Sequence, residues 1–280
     1  MPVNMLKIAG LDLEYWDEGN GLPIVFIHGV ATSGDLWVAD LADLARDARL
    51  IVYNRRGYGR SSASPRDWRE HTRDVIQLVE VLGAYPAVLI GYSGGAMIAL
   101  DAALRRPDLV SKLVLLDPAF NLTRCLTLGL LRTLATVRVL RRLGRDRRAV
   151  ECWLRYVSSY STGDSAFELK ASATRREQLL ANAPGLFADL DSSGGSMDED
   201  GLRDITAPVT IIDGKLSPAF LRRSAERLKH LLPRARAISI EKSGHWLALD
   251  AHAELLDLLR AERPSVYDSP TGPDPRLPAG

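Results

Sequence analysis

Residues 89–100 read LIGYSGGAMIAL. An apolar run ends at Tyr92, a lone Ser93 follows between Gly91 and the pair Gly94-Gly95, and the pattern then takes up helical spacing. A buried strand gives up packing for small residues in a row when its backbone must turn abruptly. A strand that passes straight into a helix places its turn residue in a strained conformation, and the neighbours two positions away then sit too close for a Cβ. Gly91 and Gly95 meet that need, and the turn presents the Ser93 hydroxyl at a helix N-terminus. The pattern G-x-S-x-G alone says little. With Gly and Ser each near ~7% of residues, a chain of this length shows it by chance roughly one time in ten. A strand before it and a helix after it separate a nucleophile turn from an ordinary glycine-rich one.

The bulk composition sets the frame. In 280 residues, 46% apolar and 25% charged, there is enough apolar material for a core and too much charge for a membrane protein. A formal net charge of +1 gives no reason to expect nucleic acid as a partner. No apolar run approaches the roughly 20 residues that span a bilayer. Residues 1–20, MPVNMLKIAGLDLEYWDEGN, carry Asp and Glu where a signal peptide has its apolar stretch, so the expected location is cytoplasmic. Cys125 and Cys152 fit no metal or redox spacing and are expected as free thiols.

Outward from the Ser93 turn, apolar runs recur at 24–27, 50–53, 112–116, 208–214 and 235–240, and two short strands joined at Ala9-Gly10 precede them. Runs apolar almost throughout suit strands buried on both faces of a parallel sheet. Between them, residues 35–47, 67–82, 95–106, 218–231 and 250–260 repeat apolar residues every three or four positions. This alternation predicts an α/β fold with crossover helices. From 120 to about 204 it stops. That stretch shows no strand pattern and carries one leucine-rich stripe, Leu122, Leu126, Leu130, Leu134, Val137 and Leu140. It reads as a helical insertion ending in the flexible-looking SSGGSMDEDG, with 1–119 and 205–262 forming the sheet domain. Residues 263–280 are rich in Pro and Gly and are expected to be a disordered tail.

Two further positions carry chemistry. His28-Gly29-Val30 ends an earlier strand, where the Val30 amide can pair with that of Gly94 to hold an oxyanion, His28 itself being structural. His245, in EKSGHWLALD, follows the last strand and suits the general base for Ser93. His71, His230 and His252 fall in helical patterns.

With HGVATSGDLW (28–37), NRRGYGRSS (54–62), GYSGGA (91–96) and SGHW (243–246) in that order, the chain from Leu6 to about Arg260 resembles the α/β-hydrolase superfamily. The resemblance implies an eight-stranded, mostly parallel sheet with a helical cap inserted after the sixth strand, as at Phe120. Two departures stand out. The loop after the fourth strand usually begins with Asp and here has Asn54. The acid usually follows the seventh strand, where IIDGKLSPAF has Ser217. A triad needs a carboxylate to set the His tautomer. Asp117, ending the sixth strand before Pro118, is the first candidate; Asp213 is its rival, and Glu241 or a dyad without an acid remain open.

The leading reading is a serine hydrolase acting on an ester, thioester or similar acyl bond of a small substrate, with no metal or cofactor. A cofactor-free lyase, cyclase or C–C bond hydrolase using the same Ser/His pair, or a ligand receptor on the same fold, are the alternatives. The leucine stripe is expected mainly as packing; any part of it lining a pocket implies an apolar substrate. The arginines between Arg132 and Arg148 read as a solvated face.

Overall fold

The computed structural model of the chain describes residues 1–8, 10–62, 65, 67–192 and 197–262. The expected tail at 263–280, residues 193–196 of the expected flexible exit, and Ala9 of the joint between the first two strands lie outside the described residues.

Eight strands form one sheet: β1 (Val3–Ile8), β2 (Leu11–Glu18), β3 (Pro23–Ile27), β4 (Arg49–Tyr53), β5 (Ala87–Tyr92), β6 (Val110–Leu116), β7 (Val209–Gly214) and β8 (Arg236–Ile240). Their order is β1-β2-β4-β3-β5-β6-β7-β8. β2 runs antiparallel to β1 and β4, and every later pairing is parallel. The continuous apolar runs are explained by burial on both faces. In β3, Ile24 and Phe26 join one core while Val25 and Ile27 join the other. In β5, Val88 and Ile90 face the first core, Leu89 the second, and the same alternation runs through Leu113–Leu116 of β6. Edge strand β8 is more exposed, as its single neighbour requires.

Helices α1 (Asp35–Leu41), α2 (Arg69–Val81), α3 (Gly95–Arg105), α9 (Ala219–Leu231) and α11 (His252–Ala261) lie in the predicted intervals. Two boundaries differ from the spacing. The helix expected over 35–47 tightens after Leu41 into a 3₁₀ turn, Ala42–Arg46. Three residues per turn stack Leu44 directly after Leu41, and both reach the core. The helix expected from 250 begins two residues later, after a short turn α10 (Leu247–Asp250). The Asp250 carboxylate is engaged elsewhere, accepting from Gly244 N–H at 2.8 Å and the Tyr160 hydroxyl at 2.6 Å.

Between β6 and β7 stand α4 (Leu128–Arg142), α5 (Asp146–Val157), α6 (Ala166–Leu169), α7 (Ala173–Ala181) and α8 (Ala183–Ser192), with no named strand among the described residues. Leu130, Val137, Trp153, Leu154 and Leu186 of these helices continue the core that covers the α1 face of the sheet. The parallel strands β3, β5, β6 and β7 all end on the same edge, and that is where loops of an open α/β sheet converge on a ligand.

Phe26 is fully buried, with its ring centroid 4.6 Å from that of Trp37. We expect Phe26→Ala to lower unfolding free energy by about 3–5 kcal/mol in urea titration. A loss under ~1 kcal/mol contradicts the packing described.

Candidate active site

The turn after β5 has the strained geometry its glycines suggest. Ser93 sits at φ +53°, in the left-handed region that residues with a Cβ seldom occupy. A Cβ on Gly91 would lie 2.6 Å from Ala96 Cα, and one on Gly95 would collide with the Ile27 carbonyl oxygen of β3. The Ser93 N–H donates to the Leu116 carbonyl at 2.9 Å, and the Ser93 carbonyl accepts from Ala96 and Ala119 at 3.0 Å. The strained residue is thus held by β6 as well as by its own helix.

Asp117 comes directly after β6, also at positive φ (+40°), with its own N–H donating to the Ile212 carbonyl of β7 at 2.7 Å. Its carboxylate is fully buried. Oδ2 lies 2.6 Å from His245 Nδ1 and accepts from the Ser217 hydroxyl at 2.9 Å, while Oδ1 accepts from Gly214 N–H at 3.3 Å. A carboxylate only accepts, so the His245 proton on that side sits on Nδ1 and leaves Nε2 as the basic nitrogen. Ser217, at the position where the superfamily resemblance places an acid, is a donor to the Asp117 carboxylate. Asp213 is turned away, bonded to the Ser239 hydroxyl at 3.0 Å and Lys229 Nζ at 3.1 Å. Glu241 is exposed and 3.7 Å from Lys215. The Tyr92 ring stacks on the His245 imidazole at 4.9 Å, and its hydroxyl donates to the His245 carbonyl at 3.1 Å.

Val30 and Gly94 stand side by side: a Cβ on Gly94 would lie 3.1 Å from Val30 Cγ2 and 3.8 Å from Val30 N. His28 is fully buried. Its Nδ1–H donates to the Gly29 carbonyl at 2.8 Å and its Nε2 accepts from Arg55 N–H at 3.0 Å. The neutral ring therefore clamps the Val30 loop to the loop after β4. In that second loop, Asn54 does what an Asp could not. Its Oδ1 accepts from Gly34 N–H at 2.5 Å while its Nδ2 donates to the buried Glu14 carboxylate at 2.7 Å.

Ser93, His245, Val30 and Gly94 line one cavity of about 350 Å³. Leu122, Leu126, Leu130 and Leu134 line it too, so most of the leucine stripe read chiefly as packing faces this space.

A second polar group, unforeseen from the sequence, borders the cavity. Asp189 of α8 pairs with Arg55 (Oδ2–Nη2 2.6 Å), accepts from the Tyr58 hydroxyl at 2.6 Å, and meets His71 Nε2 at 3.0 Å. Arg55 also donates to the Gly29 carbonyl at 3.0 Å. The inserted helices are thereby tied to the loop that carries Val30. Burial alone would raise the Asp189 carboxyl, but Arg55 and His71 outweigh it and hold it below its ordinary range. The sequence signal was faint: His71 interrupts the apolar face of α2, and its partner lies 118 residues away.

The model of a family described as the alpha/beta hydrolase family matches residues 24–258. Among curated proteins, the (E)-2-((N-methylformamido)methylene)succinate hydrolase of Acinetobacter baylyi is 22% identical over 88% of this chain and 92% of its own length. Among solved structures, an esterase from Exiguobacterium antarcticum superposes with a TM-score of 0.77 at 20% identity, covering 93% of this chain and 98% of that one. A bromoperoxidase from Bacillus anthracis reaches 0.75 at 20% identity, over 93% and 99%. The two structural likenesses concern the fold.

The buried imidazoles set an acid limit. Burial, with Arg55 beside them, pushes both His28 and His71 below the ordinary histidine value. Below about pH 6.5 the unfolded chain takes up protons that the folded rings refuse, so stability is complete above that pH and declines as pH falls, by up to about 1.4 kcal/mol per unit for each ring. We expect urea midpoints to drop steadily from pH 7.5 to 5.0, and His71→Leu to flatten the slope. A level profile in the parent protein contradicts this.

Proposed function

Since the chain belongs to the alpha/beta hydrolase family, we propose that it is a serine hydrolase that cleaves an ester, thioester or similar acyl bond of a small, largely apolar substrate through an acyl-enzyme. The observation that carries this reading is the 2.6 Å contact of His245 Nδ1 with Asp117 Oδ2, at the edge of a cavity that also holds the strained Ser93. His245 Nε2 takes the proton as Ser93 Oγ attacks the carbonyl carbon, and Asp117 stabilises the imidazolium that forms. The amides of Val30 and Gly94 receive the oxyanion. The protonated His245 hands its proton to the departing alcohol or thiol, and a water activated by the same nitrogen then releases the acid.

The cavity walls, apolar over most of their residues and with five leucines among them, support an apolar acyl group. The inserted helices supply many of those walls, so we assign them the part of a lid over Ser93. The relative from Acinetobacter baylyi is named a hydrolase of a small succinate derivative, which agrees with hydrolysis and leaves the bond to experiment.

Turnover of p-nitrophenyl butyrate is the direct test. Ser93→Ala is expected to lower kcat by several orders of magnitude. Replacing a triad carboxylate by its amide costs roughly 10⁴ in a serine protease; we expect at least about a hundredfold loss for Asp117→Asn and under about tenfold for Asp213→Asn. Undiminished hydrolysis by Ser93→Ala sinks the mechanism, and the reverse order of the two Asp variants moves the acid to Asp213. Covalent labelling of Ser93 with no ester turnover favours a lyase or cyclase.

A further inference from the structure

Helix α4 is apolar on both sides. Leu130, Thr133 and Val137 are buried against the body of the protein. On the outward side, Leu128 is 62% exposed, Leu131 48%, Val139 53% and Leu143 62%. Among the described residues ten large apolar side chains are exposed, and these four and Leu126 make up half of them. Single exposed leucines are ordinary, but such a concentration in 18 residues marks a contact surface.

The polar residues of the same face carry one sign of charge. At 3.6 residues per turn, Leu128, Leu131, Arg132, Ala135, Val139, Arg142 and Leu143 share roughly a third of the helix circumference, with Arg138 at its border. Residues 120–145 hold six arginines and no Asp or Glu, an asymmetry hidden by the +1 of the whole chain. Arg124 and Arg141 face acids elsewhere, Glu199 at 3.6 Å and Asp191 at 2.8 Å. Among the described residues, the guanidinium groups of Arg132, Arg138 and Arg142 have no partner. A helix face meant for water alone carries polar residues in place of leucines.

The cavity opens beside this face. Of the residues that line it, only Thr123, Leu126 and Arg138 are exposed. A second copy of the chain fits the face poorly. A twofold contact sets each patch against itself, and α4 has no acid to receive the partner's arginines. An anionic bilayer supplies both needs at once, acyl chains for the leucines and phosphate or carboxylate headgroups for the arginines, whose long stems reach up to them.

We propose that the outward face of α4 docks on the surface of an anionic lipid bilayer, with Leu128, Leu131, Val139 and Leu143 in the interface and Arg132, Arg138 and Arg142 against the headgroups. The helix lies on the membrane, since no described helix is long and apolar enough to cross one. Docked in this way, the mouth of the Ser93 cavity is beside the lipid. The docking does not rest on the hydrolase reading, which concerns only what enters that mouth.

Flotation of the full chain with vesicles tests it. We expect binding to vesicles of phosphatidylcholine and phosphatidylserine at 3:1 to be at least about tenfold stronger than to phosphatidylcholine alone, and to weaken as salt is raised from 0.1 to 0.5 M. Arg132, Arg142, Leu131 and Val139 do not line the cavity. Arg132→Gln with Arg142→Gln is expected to cost at least about tenfold, from roughly fivefold for each arginine near the surface. Leu131→Gln with Val139→Gln is expected to lose about as much. Hydrogen exchange on the wild-type protein gives a second readout independent of any variant: vesicles are expected to protect the amides of 126–143. Equal binding to both kinds of vesicle, binding untouched by either double variant, or protection confined to other segments overturns the proposal. So does the absence of vesicle binding, which leaves the face to a protein partner, and so does a dimer in sedimentation that Leu131→Gln dissociates, which leaves it to a second copy. Failure of the hydrolase reading shows separately, as absence of ester turnover.

Discussion

The site depends on one backbone constraint: Ser93 must occupy φ +53° between a strand and a helix that touch. An isolated peptide would avoid this conformation, and local strain of this kind costs on the order of 1–3 kcal/mol. The surrounding structure over-determines it. Missing Cβ atoms at Gly91 and Gly95 let α3 pack against β5 and β3, and the Ser93 peptide is bonded to Leu116, Ala96 and Ala119. Those bonds also fix where β6 ends, so the turn that raises Ser93 is coupled to the one that aims Asp117. Ser93 and Asp117 are thus positioned by the ends of adjacent strands, β5 and β6.

The same economy runs through the rest of the site. Where the superfamily resemblance leads one to look for an acid, Ser217 instead supplies a hydroxyl to Asp117, and a backbone amide of β7 adds a second donor. The Asp117 carboxylate thus draws these donors from β7 and the loop that follows it. On the other side, His28, Arg55 and Asp189 bind the Val30 loop to α8. A charge pair buried this deeply is weak evidence for stability, yet breaking it by removing one partner costs about 3–5 kcal/mol. Its position argues for registry: it fixes the inserted helices relative to the loop proposed to hold the oxyanion.

Much of this was legible in the sequence because it rests on local pattern. Strands buried on both faces announce themselves as unbroken apolar runs, and the strand-to-helix turn at Ser93 needs glycines at fixed offsets. Asp117 comes forward only because the superfamily resemblance puts an acid where Ser217 stands, and the sequence leaves Asp213 and Glu241 open beside it. What escaped notice is non-local. Nothing in the spacing of α2 says that His71 meets Asp189 across 118 residues, or that Arg55 joins them. The leucine stripe from Leu122 through α4 has the period of a packed helix whether its far side is core or cavity. The early end of α1 and the break before α11 answer to tertiary demands, the stacking of Leu44 and the capture of Asp250 by Gly244 and Tyr160.

The central claim is that Ser93 is a nucleophile activated by His245 and Asp117. Intact-mass and peptide mass spectrometry after exposure to a fluorophosphonate tests it most directly, because the reagent bonds covalently only to an activated hydroxyl. The account predicts one adduct per chain, on the peptide that contains Ser93. An adduct on a different residue, or none in folded protein, would contradict it.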